Sequence, residues 1–115
     1  VGVDSYLEYA SEKFNIAVRR LAVGEGDVCK RLLSAYMEIH PIEGKLLPEE
    51  LQQLYAGIIR QLTKYTQEDP KWGTVPTTLN RITNKTGRKI ATDICDLRDQ
   101  IENLLRYNDL KKYNG

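Results

Sequence analysis

The densest run of one chemistry in this 115-residue chain is cationic: Arg81, Lys85, Arg88 and Lys89, with Lys71 and Trp72 close by in sequence. Residues 71–92 carry 5 basic side chains and no acid, whereas residues 1–70 carry 8 basic and 11 acidic ones. The net charge of +1 therefore hides a local excess. Such a run can neutralise phosphates, and Trp72 or Tyr65 can stack on a base. If one helix runs through the whole window, the four cations lie opposite Leu79, Ile82 and Ile90 and form a solvent-facing stripe. If the helix restarts with Thr86 as N-cap, the N–H groups of Gly87 to Lys89 would form a small anion site instead. The competing reading is a solvated helix face with Lys89 one turn from Asp93, since surface charge runs commonly serve solubility alone.

The remaining reactive side chains offer less. His40 is the only histidine, so a bundle metal centre built from two Glu-x-x-His motifs is excluded. Its place between a helix end and Pro41 suits capping of a helix C-terminus, where the dipole is negative, better than a Ser-His or Cys-His pair. Small helical ribonucleases that use an Arg and a His four to six residues apart on one helix are excluded too. The nearest upstream arginine is Arg31, whose spacing points the two side chains apart. Asp93, Asp96, Asp99 and Glu102 recur every third residue, each turned about 60° from the last, so they do not converge on a metal. Glu102 and Arg106 are spaced for a helical ion pair. Gly24-Glu25-Gly26-Asp27 has neither the strand nor the Lys-Ser/Thr pair of a phosphate loop and reads as a helix–helix turn. Cys29 and Cys95 flank core positions without a C-x-x-C and read as buried, reduced thiols. No catalytic residue, metal site or cofactor is expected.

The elements that must position these residues are helices. Ile90, Ile94, Leu97, Ile101 and Leu104, spaced four and three, put one apolar face on a helix over Gly87 to Tyr107. A first helix is expected from Ser5 to Val23, capped by Asp4 or Ser5, with Leu7, Ala10, Phe14, Ala17, Val18 and Leu21 inward. Gly24 ends it, and Asp27 caps a second helix, Val28 to Ile39, that Pro41 stops. Pro48 opens a third at its first helical position, with Leu51, Leu54, Tyr55, Ile58, Leu62 and Tyr65 on its core face. Thr66 to Pro76 reads as the longest loop. Pro76 can start a short extra helix through Leu79 and Ile82, which breaks near Asn84 to Gly87 or continues into the last helix. The tail from Asn108 to Gly115 is polar and expected to fray.

Composition supports one domain over residues 1–115. With 29% charged and 41% hydrophobic residues the balance is that of a globular chain, and no apolar run is long enough to span a bilayer. The opening Val-Gly-Val-Asp, with neither Met nor a basic leader, predicts a trimmed end, no signal peptide and a cytoplasmic location. The expected fold is all-α, an up-down bundle of four main helices with a short extra helix before the last.

Glu12-Lys13-Phe14 with Ala17-Val18, then Leu21-Ala22, Gly24 to Val28, Arg31-Leu32 and Ala35-Tyr36, followed by Pro48-Glu49-Glu50-Leu51 and Ile90-Ala91 with Ile94 and Leu97, resemble an uncharacterised family of small all-helical bacterial proteins with no assigned function. The resemblance implies the fold and carries no site. Seven tyrosines exceed what a small core needs, and Tyr6, Tyr9, Tyr107 and Tyr113 near the chain ends suit an exposed aromatic patch. The first functional expectation is thus a non-enzymatic interaction module that binds itself or another protein. Nucleic-acid or polyanion binding through Arg81, Lys85, Arg88, Lys89 and Trp72 is the alternative.

Overall fold

Every apolar stripe read from the sequence closes over the same core. The computed structural model describes residues 3–65 and 73–114, with side chains from 5 to 113 within those limits. It holds five α-helices, α1 (Val3–Val23), α2 (Val28–Ile39), α3 (Glu49–Leu62), α4 (Thr74–Arg81) and α5 (Asn84–Asn114), with a 3-10 turn at Gly44–Leu46 and no strand among the described residues. Leu7, Phe14, Leu32, Ile58, Ile90, Ile94, Leu97 and Ile101 are fully buried. The fold is an all-α bundle.

α1 starts earlier than expected, which leaves Ser5 inside the helix rather than at its cap. Gly24 ends it through N–H donation to the Arg20 carbonyl at 2.9 Å, and Gly26 takes the left-handed φ of +87° that the reversal needs. Asp27 caps α2 by accepting from the Lys30 N–H at 3.0 Å. The turn makes α1 and α2 antiparallel. α5 runs antiparallel to both α1, where Glu102 meets Ser11 and Asn15, and α3, where Lys89 meets Gln61.

Pro48 sits one residue outside α3, not at its first helical position, because its ψ of 144° is extended. α3 also stops at Leu62, short of Tyr65, with Thr63 closing it through its hydroxyl and N–H to the Ile59 carbonyl. The next residues are held by another element. The buried Thr78 hydroxyl accepts from the Tyr65 N–H at 3.0 Å and donates to the Tyr65 carbonyl at 3.2 Å, which satisfies both backbone groups without a further helical turn. Tyr55 does the same for the exit of α2, its phenol donating toward the carbonyls of Ile39 at 3.1 Å and Ile42 at 2.8 Å.

α4 begins at Thr74, two residues before Pro76, which is tolerated in the first turn where no intrahelical donor is required. Of the two courses left open, a break near Asn84 to Gly87 or one continuous helix, the chain takes the break, and places it at Ile82 and Thr83. Thr83 is the cap of α5: its Oγ1 accepts from the Thr86 N–H at 3.2 Å, and its carbonyl accepts from the Gly87 N–H at 2.9 Å. Gly87 is buried inside the first turns because a Cβ there would lie 2.9 Å from Val28 Cγ1 and 3.1 Å from Cys29 Sγ. At its other end α5 does not fray at Asn108; it stays helical to Asn114. Its 31 residues span about 46 Å at 1.5 Å each, close to the 53 Å long dimension of the molecule.

Candidate functional site

The break at Ile82 and Thr83 decides the fate of the basic window. Arg81 ends α4, while Lys85, Arg88 and Lys89 belong to α5, so the four cations form no single continuous stripe. The anion site proposed at Gly87 to Lys89 is also absent in that form, since Thr86 is not the cap and the Gly87 N–H is already bonded. Lys89 pairs with Asp93 at 3.3 Å and donates to Gln61 Oε1 at 3.3 Å, and Gln61 in turn donates to Asp93 at 2.9 Å. That triangle fastens α5 to α3. Lys85 and Arg88 are exposed and form no ion pair among the described residues. Trp72 and Lys71 lie outside the described residues.

Arg81 has a different neighbour. Its guanidinium stands 5.6 Å from the centroid of the Tyr65 ring, and the Lys64 ammonium stands 5.5 Å from the same centroid. Both separations suit a cation–π contact. Thr78, one turn before Arg81 on α4, holds the Tyr65 backbone in place, so two segments distant in sequence meet at one half-buried ring. The antiparallel contact of Gln61 with Lys89 brings Lys85, one turn earlier on α5, toward the level of Lys64 and Tyr65. Sequence reading found Arg81, Lys85 and, as a base-stacking candidate that it also set on the core face of α3, Tyr65, but not Lys64; the Thr78 clamp leaves no mark on local sequence.

A cleft of about 410 Å³ lies between α2 and α4, lined by Cys29, Lys30, Leu33, Pro76, Leu79 and Asn84 among others. Cys29 is nearly buried, and burial, reinforced by the Asp27 carboxylate, raises its thiol above the ordinary range. Its sulfur lies 3.8 Å from Asn84 Oδ1 and 4.0 Å from the Thr83 carbonyl. A neutral thiol among acceptors is a poor nucleophile. Cys95 is half-buried, also free, and raised chiefly by burial. Among the described residues no three His, Cys, Asp or Glu side chains converge to hold a metal ion.

His40 is the C-cap of α2, its N–H bonded to the Tyr36 carbonyl and its ring tilted against Tyr36 at 5.6 Å. Glu102 turns away from the ion pair expected with Arg106 and accepts instead from Ser11 Oγ and, at 3.0 Å, from Asn15 Nδ2. Arg98 adds bonds to Asp99 at 2.8 Å and Asn15 at 3.3 Å. These contacts form a polar seam that sets the register of α1 on α5.

The tyrosines near the chain ends divide into two places. Tyr6 and Tyr9 are in ring contact at 5.5 Å beside Pro41 and Glu43, with the Tyr6 hydroxyl accepting from the Glu43 N–H at 2.7 Å. Tyr107 lies on the other side, against Glu50, Leu51 and Leu104. Beyond Leu104 the last turns of α5 keep little cover: Tyr107 is 55% exposed, Leu110 56% and Tyr113 91%. No helix among the described residues is long and apolar enough to cross a membrane. Compared with known families, curated proteins and solved structures, the chain matches none.

Proposed function

We propose that this chain is a non-enzymatic interaction module that pairs with a second copy of itself through the uncovered end of α5. The observation that carries this reading is the run Tyr107, Leu110 and Tyr113, three large apolar side chains left open on a helix whose earlier apolar residues Ile90, Ile94, Leu97 and Ile101 are fully buried. Spaced three apart, they cover about a third of the helix circumference. A two-fold axis at Leu110 would set Tyr107 of one copy against Tyr113 of the other, and Leu110 against its equivalent, which is the self-complementarity an isologous interface requires.

The exposed parts of these three side chains offer on the order of 400 Å² per copy. Two copies would thus bury at most about 800 Å² in all, below the roughly 1,200 Å² of standard specific interfaces, so the pairing is weak and reversible. Sedimentation velocity over a hundredfold range of concentration tests it. The sedimentation coefficient should rise with concentration for the intact chain and stay at the monomer value for a variant carrying Tyr107→Ser and Tyr113→Ser. A concentration-independent monomer for the intact chain would remove the proposal.

A further inference from the structure

We infer that the Tyr65 corner, at the opposite end of α5 from Tyr107, binds single-stranded nucleic acid, with the Tyr65 ring as a stacking platform and Lys64, Arg81, Lys85 and Arg88 as phosphate contacts. The inference does not depend on self-association, because it uses none of the same residues.

Two features carry it. First, cations from three separate segments form no ion pair among the described residues. Lys64 and Arg81 flank one ring, Lys85 and Arg88 open the exposed surface of α5, and the charged side chains from 73 to 92 are all basic. Asp93, one turn beyond Lys89 on α5, is taken by Lys89 and Gln61. Second, the aromatic among them is fixed without being buried. Both backbone groups of Tyr65 are bonded to the fully buried Thr78, so the ring is held in place at the surface while remaining half-exposed.

A surface ring with exposed cations over it offers an unpaired base and its phosphates what they require: Lys64 or Arg81 swings from the ring to a phosphate and the base stacks on the face it leaves. A duplex hides its base faces and would use the charge alone. A lipid headgroup or a simple polyanion would likewise gain nothing from the ring. The chemistry therefore favours a single strand, read by stacking and charge without hydrogen-bond discrimination of sequence.

The test is fluorescence anisotropy with a labelled 20-nucleotide deoxythymidine strand at 50 mM salt, with the same-length duplex and heparin as competitors. The intact chain is expected to bind the single strand at micromolar concentration, more tightly than the duplex. Four phosphate contacts should give a slope of roughly −3 in log affinity against log salt, at about −0.7 per contact. Tyr65→Leu, which keeps an apolar side chain on an unchanged backbone anchor, should weaken the strand at least fivefold and leave heparin unaffected. The surface pair Lys64→Glu and Lys85→Glu, neither of which touches the core, should weaken both at least tenfold; circular dichroism verifies the fold of each variant. Absence of binding at 50 mM salt, equal affinity for strand and duplex, or full affinity in folded Tyr65→Leu would each overturn the inference.

Discussion

Tyr55 concentrates more of the fold's cohesion than any other polar side chain. Its phenol bridges two carbonyls at the exit of α2 while its ring meets Phe14 edge-on at 6.2 Å. Burial, with smaller contributions from Tyr36, Tyr6 and Tyr9, pushes its ionisation well above the ordinary tyrosine range. The folded pKa is raised, so the stability Tyr55 contributes is fully present below the unfolded value near 10 and is lost as pH climbs above it. Urea midpoints should therefore be flat with respect to this group up to about pH 9 and fall beyond pH 10, and the fall should vanish in Tyr55→Phe. That variant should itself cost about 1–2 kcal/mol at neutral pH, since the Ile42 carbonyl loses its donor while the Ile39 carbonyl keeps the Ile42 N–H. Gly87 supplies a second residue-scale test. Gly87→Ala places a methyl against Val28 and Cys29, and overpacking of this kind costs about 1–3 kcal/mol, so its urea midpoint should drop with an unchanged m-value. An unaltered midpoint would mean that α2 and α5 are not in such close contact.

At the scale of elements, α5 divides at Leu104 into a packed half and an open half, with Ile101 as its last fully buried side chain. Removing residues 107–115 should abolish self-association yet lower the unfolding free energy from urea titration by less than about 1 kcal/mol, because surface positions away from the core contribute little. A large loss of stability would show that the open half is packed in the free monomer. The buried faces were legible in the sequence because burial on a helix imposes a 3.6-residue period, and Leu7, Phe14, Leu32, Ile58 and Ile94 all obey it. Element ends were less so. Thr83 and Thr86 are both acceptable caps by residue type; the choice is made by the packing of Gly87 on α2, a tertiary contact. Tyr65 falls three residues after Leu62 and so reads as another core position, but Thr78 draws it out of the helix. The tail read as frayed because it is polar. Polarity removes packing, not helical propensity, and Asn108 to Lys112 contain neither Gly nor Pro to stop the helix. Where Trp72 was expected to contribute, the outcome lies outside the described residues.

Across the whole molecule, the two ends of α5 carry opposite chemistry. Its start lies among the cations around Tyr65, and its finish presents Tyr107, Leu110 and Tyr113 about 46 Å or less away along the same helix. Between them the described surface includes the cleft between α2 and α4, where the Cys29 thiol is held neutral beside Lys30, and the polar seam of Glu102 with α1. The proposed function rests on surface features of this fold and not on the fold itself. The cationic end stays exposed when two copies meet at the Leu110 axis, so pairing would place two such ends far apart on one particle. The most direct measurement of this account is sedimentation equilibrium of the intact chain beside the Tyr107→Ser, Tyr113→Ser variant, each checked for unchanged helicity. The account predicts a reversible monomer–dimer equilibrium for the intact chain and a monomer for the variant; an intact chain that stays monomeric, or a variant that dimerises equally well, contradicts it.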